Sequence, residues 1–281
     1  MLSTKEKAIH FRNFHQGRHI LILPNAWDVV SARIFEELGV QAIATTSGGI
    51  SASLGYPDGQ KISLVQMLEV IERISRAVSI PVSADMEAGY GDTIEEIEIM
   101  ARGLISSGAV GLNIEDATRR PEKPLSAIGE MTDKIKAIRK VSRLVDVPLF
   151  INARTDAYQT KDEEETLRIR NVIERGKAYL EAGADCIFPF GLASSEAISK
   201  VTQELNGHIN INVRSNSLTI GELERLGVER VSFGTGTIRS TLGTLRKIVT
   251  ELKETGTYET IRSLAIAQDE LNRLFSPKES N

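Results

Sequence analysis

A single cysteine, Cys186, stands among the 281 residues, so the chain cannot close an internal disulfide framework or build a cysteine-based zinc site. A reducing compartment is the expectation. Basic residues are not in excess either: 34 Lys and Arg face 38 Asp and Glu, for a net charge of −4, and no basic cluster offers a nucleic-acid footprint or a polybasic membrane patch. No stretch approaches the roughly 18 uncharged apolar residues of a membrane helix. The opening "MLSTKEKAIHFRNF" lacks the apolar core of a signal peptide. These absences lead to the expectation of a cytoplasmic protein acting on a small soluble ligand, with neither nucleic acid nor membrane as partner. Also missing is a GxGxxG run after the first strand, which argues against an open doubly wound sheet; "GTGT" at Gly234 follows the last strand instead.

What is present is a repeated layout. Four segments close a helix with glycine and continue into a short apolar run: "LGVQAIATTS" from Leu38, "SGAVGLNIED" from Ser107, "AGADCIFPFG" from Ala182 and "LGVERVSFGT" from Leu226. Glycine supplies a left-handed cap, and the run after it reads as a strand buried on both faces. "HILILPN" at His19, "SIPVSADME" from Ser79, "DVPLFINAR" from Asp146 and "GHININVR" from Gly207 complete eight strands. Helical periodicity lies between them, as in Ile97, Met100, Ala101 and Leu104. Eight alternating units predict one (β/α)8 TIM barrel domain over residues 1–281, a size usual for that fold. A further helix is expected over 257–275, packed either across its own barrel or against another subunit.

Chemistry in such a barrel gathers at the C-terminal strand ends. There the sequence places Asp85 and Glu87, two apart and expected on one face, with Glu115 from the next strand. Three carboxylates at one mouth call for a cation, and all-oxygen ligands suit Mg²⁺, with Mn²⁺ as a possible substitute. The competing reading pairs Glu87 and Glu115 with Arg154 or Arg119. Ser47, Gly48 and Gly49 form a loop whose backbone N–H groups suit an anion; Arg154 suits a carboxylate, or else a structural ion pair. Asp58, in "GYPDG", reads on physical grounds as a turn residue. Cys186, inside a strand, reads as a small buried hydrophobe.

"SGGISASLGYPDG", "SADMEAGYGD", "GLNIED" and "INARTDA", in this order, resemble the isocitrate lyase and phosphoenolpyruvate mutase superfamily from about Leu23 to about Leu242. The resemblance implies a barrel that exchanges its last helix in a homotetramer or homodimer, and Mg²⁺ holding an α-oxo acid or its enolate. It implies Ser47, Gly48, Gly49, Arg154 and Asn212 as substrate-binding residues and Asp85, Glu87 and Glu115 around the metal. It also raises Asp58 to a catalytic position. The chain departs from the lyases in two places: "NIEDATRRPEKPLSAIGEM" lacks their Lys-(Lys/Arg)-Cys-Gly-His loop, and Phe190 stands where they carry a glutamate, which argues against a tricarboxylate. The mutase's Lys and Asn-Ser loop is not matched either.

The leading expectation is therefore a Mg²⁺-dependent carbon–carbon lyase or hydrolase acting on a small α-oxo or 2-hydroxy carboxylic acid. Arg154 and the Ser47 loop would orient the carboxylate, and Tyr56, Asp58 or water would supply the proton. The alternatives are a phosphoenolpyruvate mutase or phosphonopyruvate-type P–C enzyme, and a barrel that binds an oxo acid with little turnover.

Overall fold

The computed structural model describes residues 2–17, 19–160, 164–205 and 208–275. Gly207, which opens the seventh expected strand, lies outside the described residues. Strands β1 (Leu21–Leu23) and β2 (Asn25–Ala26) are two halves of one strand, parted at Pro24, whose nitrogen has no hydrogen to give to a ladder. They are followed by β3 (Ile43–Thr45), β4 (Val82–Asp85), β5 (Gly111–Glu115), a hairpin of β6 (Ala117–Arg120) and β7 (Lys123–Leu125), then β8 (Phe150–Thr155), β9 (Cys186–Pro189), β10 (His208–Asn212) and β11 (Arg230–Ser232).

All pairings outside the hairpin are parallel and run in sequence order, and β1 meets β11 while β2 meets β3. The sheet thus closes on itself through the strand broken at Pro24. An open doubly wound sheet would reverse its strand order at a switch point; here no reversal occurs. The four helix-closing glycines, Gly39, Gly108, Gly183 and Gly227, have φ of 79°, 87°, 109° and 82°, the left-handed caps expected from sequence.

Helix α1 (Thr4–Phe14) closes the N-terminal end of the barrel. Its buried Phe11 meets Phe150 edge-on at 5.4 Å, and His15, just past the helix, stacks on the same ring at 3.9 Å. Around the barrel run α2 (Val29–Glu37), α3 (Ser47–Ser53), α4 (Leu64–Ala77), α5 (Ile94–Ser106), α6 (Ile128–Leu144), α7 (Glu165–Glu181), α8 (Ser195–Glu204), α9 (Ile220–Arg225) and α10 (Gly236–Glu254). One core cluster joins the strands to α4, α5, α6 and α7, with Met67, Ile97, Met100, Ile135, Ile138 and Val172 all shielded from solvent.

One local expectation is corrected. The segment 257–275 is not one helix but two, α11 (Glu259–Leu264) and α12 (Gln268–Phe275), because Ala265 is extended and Asp269 and Glu270 begin a fresh first turn. The stretch after "NIED" is the β6–β7 hairpin, turning at Pro121 and Glu122.

Candidate active site

The C-terminal strand ends converge on a cavity of about 760 Å³, lined by Ser47, Asp58, Glu87, Glu115, Arg154 and Asp156. The hairpin supplies one wall, through Ala117, Arg120, Pro121 and Pro124. Its two prolines limit how far that wall can relax.

Ser47, Gly48 and Gly49 are not a loop: they form the first turn of α3, capped by Thr46. The Ser47 N–H and hydroxyl both donate to Asp85 Oδ2, at 3.2 and 2.8 Å, and the Asp85 N–H donates to Thr45 Oγ1 at 3.0 Å. Asp85 is thereby held by the strand beside it. A methyl group on Gly48 would sit 3.0 Å from Asp58 Oδ2 and 2.9 Å from Thr235 Cγ2, so only glycine lets Asp58 close over this turn.

The same-face premise for Asp85 and Glu87 does not hold. Strand β4 ends at Asp85, and Glu87 has a left-handed φ of 51°, followed by Gly89 at 101° and Tyr90 at 55°. Non-glycine residues adopt this conformation only where neighbours hold them there. Glu87 is buried, accepting from Gln60 N at 2.9 Å and the Tyr90 hydroxyl at 3.3 Å, while its carbonyl accepts from Glu115 N at 2.8 Å.

Glu115 faces Arg154 Nη1 at 3.0 Å. Arg154 also makes a two-pronged contact to Asp156, Nε to Oδ1 at 2.6 Å and Nη2 to Oδ2 at 2.8 Å, and its guanidinium lies 3.7 Å from the Phe190 ring centroid. Burial alone would lower the Arg154 pKa, but Glu115 and Asp156, with Asp85 beyond them, hold it above its ordinary value. The ion-pair reading thus describes Arg154 and Glu115 as they stand; the Arg119 side chain, the other partner considered, lies outside the described residues.

As a result no three His, Cys, Asp or Glu side chains among the described residues form a ready-made metal cage. The expectation of Asp85, Glu87 and Glu115 gathered on one ion is corrected to this extent: Glu115 is drawn to arginine and Glu87 to backbone and tyrosine. The donor set still fits a hard cation that keeps several waters and takes only one or two protein carboxylates. Asp85, with both Ser47 bonds on a single oxygen, is the carboxylate suited to direct contact.

Of the other expected residues, Asp58 lines the cavity, whereas Tyr56 is exposed and stands outside its lining. Asn212 lines a neighbouring cavity, and its buried Oδ1 has no donor among the described residues. Cys186 is fully buried, and burial pushes its thiol up to about 12, which removes it from proton transfer near neutral pH.

Sequence reasoning missed the clamp behind Arg154. The Asp156 N–H donates to Asp116 Oδ1 at 3.0 Å, and Asp116 Oδ2 accepts from Tyr179 at 2.8 Å and Arg175 at 3.1 Å. The signal was available, since Arg154 and Asp156 stand two apart at a strand end.

A family model described as phosphoenolpyruvate phosphomutase matches residues 11–253. Among curated relatives, a 2,3-dimethylmalate lyase from Eubacterium barkeri is 30% identical over 280 residues, covering 95% of this chain and 93% of its own. A 2-methylisocitrate lyase from Halalkalibacterium halodurans is 29% identical over 270 residues, covering 92% and 85%. Among solved structures, oxaloacetate acetylhydrolase in complex with oxalate superposes with a TM-score of 0.85 at 25% identity, covering 97% of this chain and 94% of that one. With the family model matching residues 11–253 and a curated relative 30% identical along most of both chains, the chain belongs to the phosphoenolpyruvate phosphomutase family, within the isocitrate lyase and phosphoenolpyruvate mutase superfamily.

Proposed function

We propose that the protein is a Mg²⁺-dependent lyase or hydrolase that breaks a carbon–carbon bond in a small α-oxo or 2-hydroxy carboxylic acid. The observation that carries this reading is the meeting of Ser47, on the α3 first turn, and the Glu115–Arg154 pair in the cavity's lining, with Asp85 held directly behind Ser47 by its hydroxyl. Asp85 would hold the ion directly, with Glu87 and Glu115 acting through its waters, and Mn²⁺ would serve in its place. When bound, the ion supplies a fixed positive charge that stabilises negative charge developing on the substrate oxygen.

The chain's own groups do the rest. The Gly48 N–H and the Arg154 donors not facing Asp156 or Glu115 bind and orient the substrate carboxylate. Asp156 and Glu115 keep the guanidinium in one orientation. Asp58, the acidic group standing over Gly48, holds or passes the proton at its carboxylate; Tyr56 is too far out on the surface to be preferred. The β6–β7 hairpin walls the site from water.

Helix α10 supports an oligomer. Only Ile238 on it is buried, while Leu242, Leu245, Val249 and Leu252 are 46%, 54%, 54% and 44% exposed, and an apolar face of this extent calls for a partner. Exchange of α10 between subunits of a homotetramer or homodimer would cover it. A cytoplasmic location completes the reading, supported by the lone buried cysteine; no helix among the described residues is long and apolar enough to cross a membrane.

The test is incubation with Mg²⁺ and a panel of oxo and hydroxy acids, assayed for release of pyruvate, oxalate or glyoxylate. Product from a C–C substrate is the expected result. Product from phosphonopyruvate alone selects the P–C reading, and metal-dependent binding without any product selects the barrel of little turnover.

A further inference from the structure

Arg230, on β11, is among the largest side chains to be fully shielded from solvent. Its Nη2 donates to Asn113 Oδ1 on β5 at 3.3 Å, although β10, β9 and β8 stand between those two strands in the sheet. The guanidinium therefore reaches across the barrel's interior. Its Nε and Nη1 are buried and find no acceptor among the described residues, and no carboxylate of those residues comes within ion-pair distance. By contrast, Arg154 has Glu115, Arg175 has Asp116 and Arg139 has Asp185.

The groups around Arg230 do not cancel its charge. Burial pulls its pKa down, but only to about 10, so the side chain is a cation near neutral pH. The Cys186 thiol, pushed up to about 12 by burial, stays neutral there, and so does His15, pushed down to about 2 by burial and by Arg230 itself. Asp85 acts on Arg230 only from a distance, and its carboxylate accepts from the Ser47 N–H and hydroxyl. An unpaired charge in a low-dielectric interior is strongly unfavourable. Water would satisfy the free donors and leave the charge where it is.

Further buried groups face the same interior without partners among the described residues: Ser83 Oγ, Asn152 Oδ1 and Asn210 Oδ1. Asn210 is in register with Arg230 on the neighbouring strand, so the two side chains project to one side. Its Nδ2 donates to Ser232 Oγ at 3.1 Å. Because a hydroxyl both donates and accepts, turning the Asn210 amide over keeps a bond to Ser232 and aims Nδ2 inward. A methyl on Gly111 would lie 3.0 Å from Ser83 Oγ and 2.9 Å from Phe11 Cε1, which places the Ser83 hydroxyl on the floor that α1 closes and excludes an organic acid from it. We propose that Arg230 Nε and Nη1, with the Asn210 amide and the Ser83 hydroxyl, hold a small inorganic monoanion of the halide class, chloride, as a counter-ion inside the barrel. Asn152 Oδ1 accepts from a water bound to the same ion. The site is separate from the cavity at the strand ends and stands whatever reaction that cavity performs.

The test is thermal unfolding of the full-length protein and of Arg230→Met in potassium chloride, bromide or gluconate, with gluconate, too large for the interior, holding the ionic strength constant. Only the folded chain has the site, so the melting temperature of the unsubstituted protein should rise by about 3–5 °C for each tenfold increase in chloride or bromide beyond half-saturation. Arg230→Met should melt at one temperature in all three salts. Equal melting of the unsubstituted protein in all three, or the same halide effect in Arg230→Met, overturns the proposal. A crystal grown in bromide gives a reading that does not depend on the variant folding. An anomalous peak in contact with the Arg230 guanidinium supports the site, and density there without anomalous signal identifies water and overturns it.

Discussion

Replacing Gly48 by alanine tests how closely the α3 first turn fits its surroundings. The added methyl meets Thr235 Cγ2 at 2.9 Å and Asp58 Oδ2 and Cγ at 3.0 and 3.1 Å. Two effects oppose each other. Alanine in a helix is favoured over glycine by up to about 1 kcal/mol, whereas forcing a methyl into filled space costs about 1–3 kcal/mol. Asp58 is exposed and can swing aside, but Thr235 is branched at Cβ and its methyl has few other places to go. The clash should win by about 1–2 kcal/mol, with a melting temperature lower by about 2–4 °C for each kcal/mol in a chain of this size. Oxalate affinity in Mg²⁺ should fall about tenfold, because Asp58 is displaced and the Gly48 N–H is shielded, removing one charge-assisted bond. Thr235→Ser removes the offending methyl and keeps the hydroxyl, so the double variant should recover at least half of the lost stability. Calorimetry and thermal unfolding of the four proteins decide the matter. A neutral Gly48→Ala, or a double variant that recovers nothing, refutes the packing argument.

Asp156→Asn removes the negative charge that grips Arg154 with two bonds and should weaken oxalate binding by about 10–100-fold, the worth of about 1.5–3 kcal/mol of charge-assisted bonding; unaltered affinity in calorimetry would show that the clamp is ornamental to binding. His15 is pushed down to about 2, by burial first and then by Arg230, so its contribution to stability is complete above the unfolded value of about 6.5 and is lost as pH falls, at about 1.4 kcal/mol per pH unit. Urea unfolding at about pH 7 and about pH 5 should show a smaller acid loss in His15→Gln than in the unsubstituted protein, and equal losses would remove His15 from the acid response. Leu245→Asp with Val249→Asp on the open face of α10 should shift sedimentation from an oligomer to a monomer, and an unchanged sedimentation coefficient would place the interface elsewhere.

The barrel was legible because its signals are local and repeated: glycine caps at Gly39, Gly108, Gly183 and Gly227 precede Val- and Ile-rich runs, and each cap has the left-handed φ it implies. The acidic strand ends were legible for the same reason. What escaped were features set by tertiary partners. Period-two alternation put Asp85 and Glu87 on one face, but β4 stops at Asp85 and the next residues turn left-handed to meet Gln60, a partner distant in sequence. The same alternation, applied to Arg154 and Asp156, would have found the clamp. The break at Ala265 carries neither Gly nor Pro and could not be read from helical periodicity.

The most direct measurement of the central claim is oxalate titration, with and without Mg²⁺, into the unsubstituted protein and Asp85→Ala, with circular dichroism to verify the fold. Oxalate should bind only when Mg²⁺ is present, and Asp85→Ala should lose that binding while keeping its spectrum. Binding indifferent to Mg²⁺, or retained in a folded Asp85→Ala protein, would contradict a metal held at the strand ends.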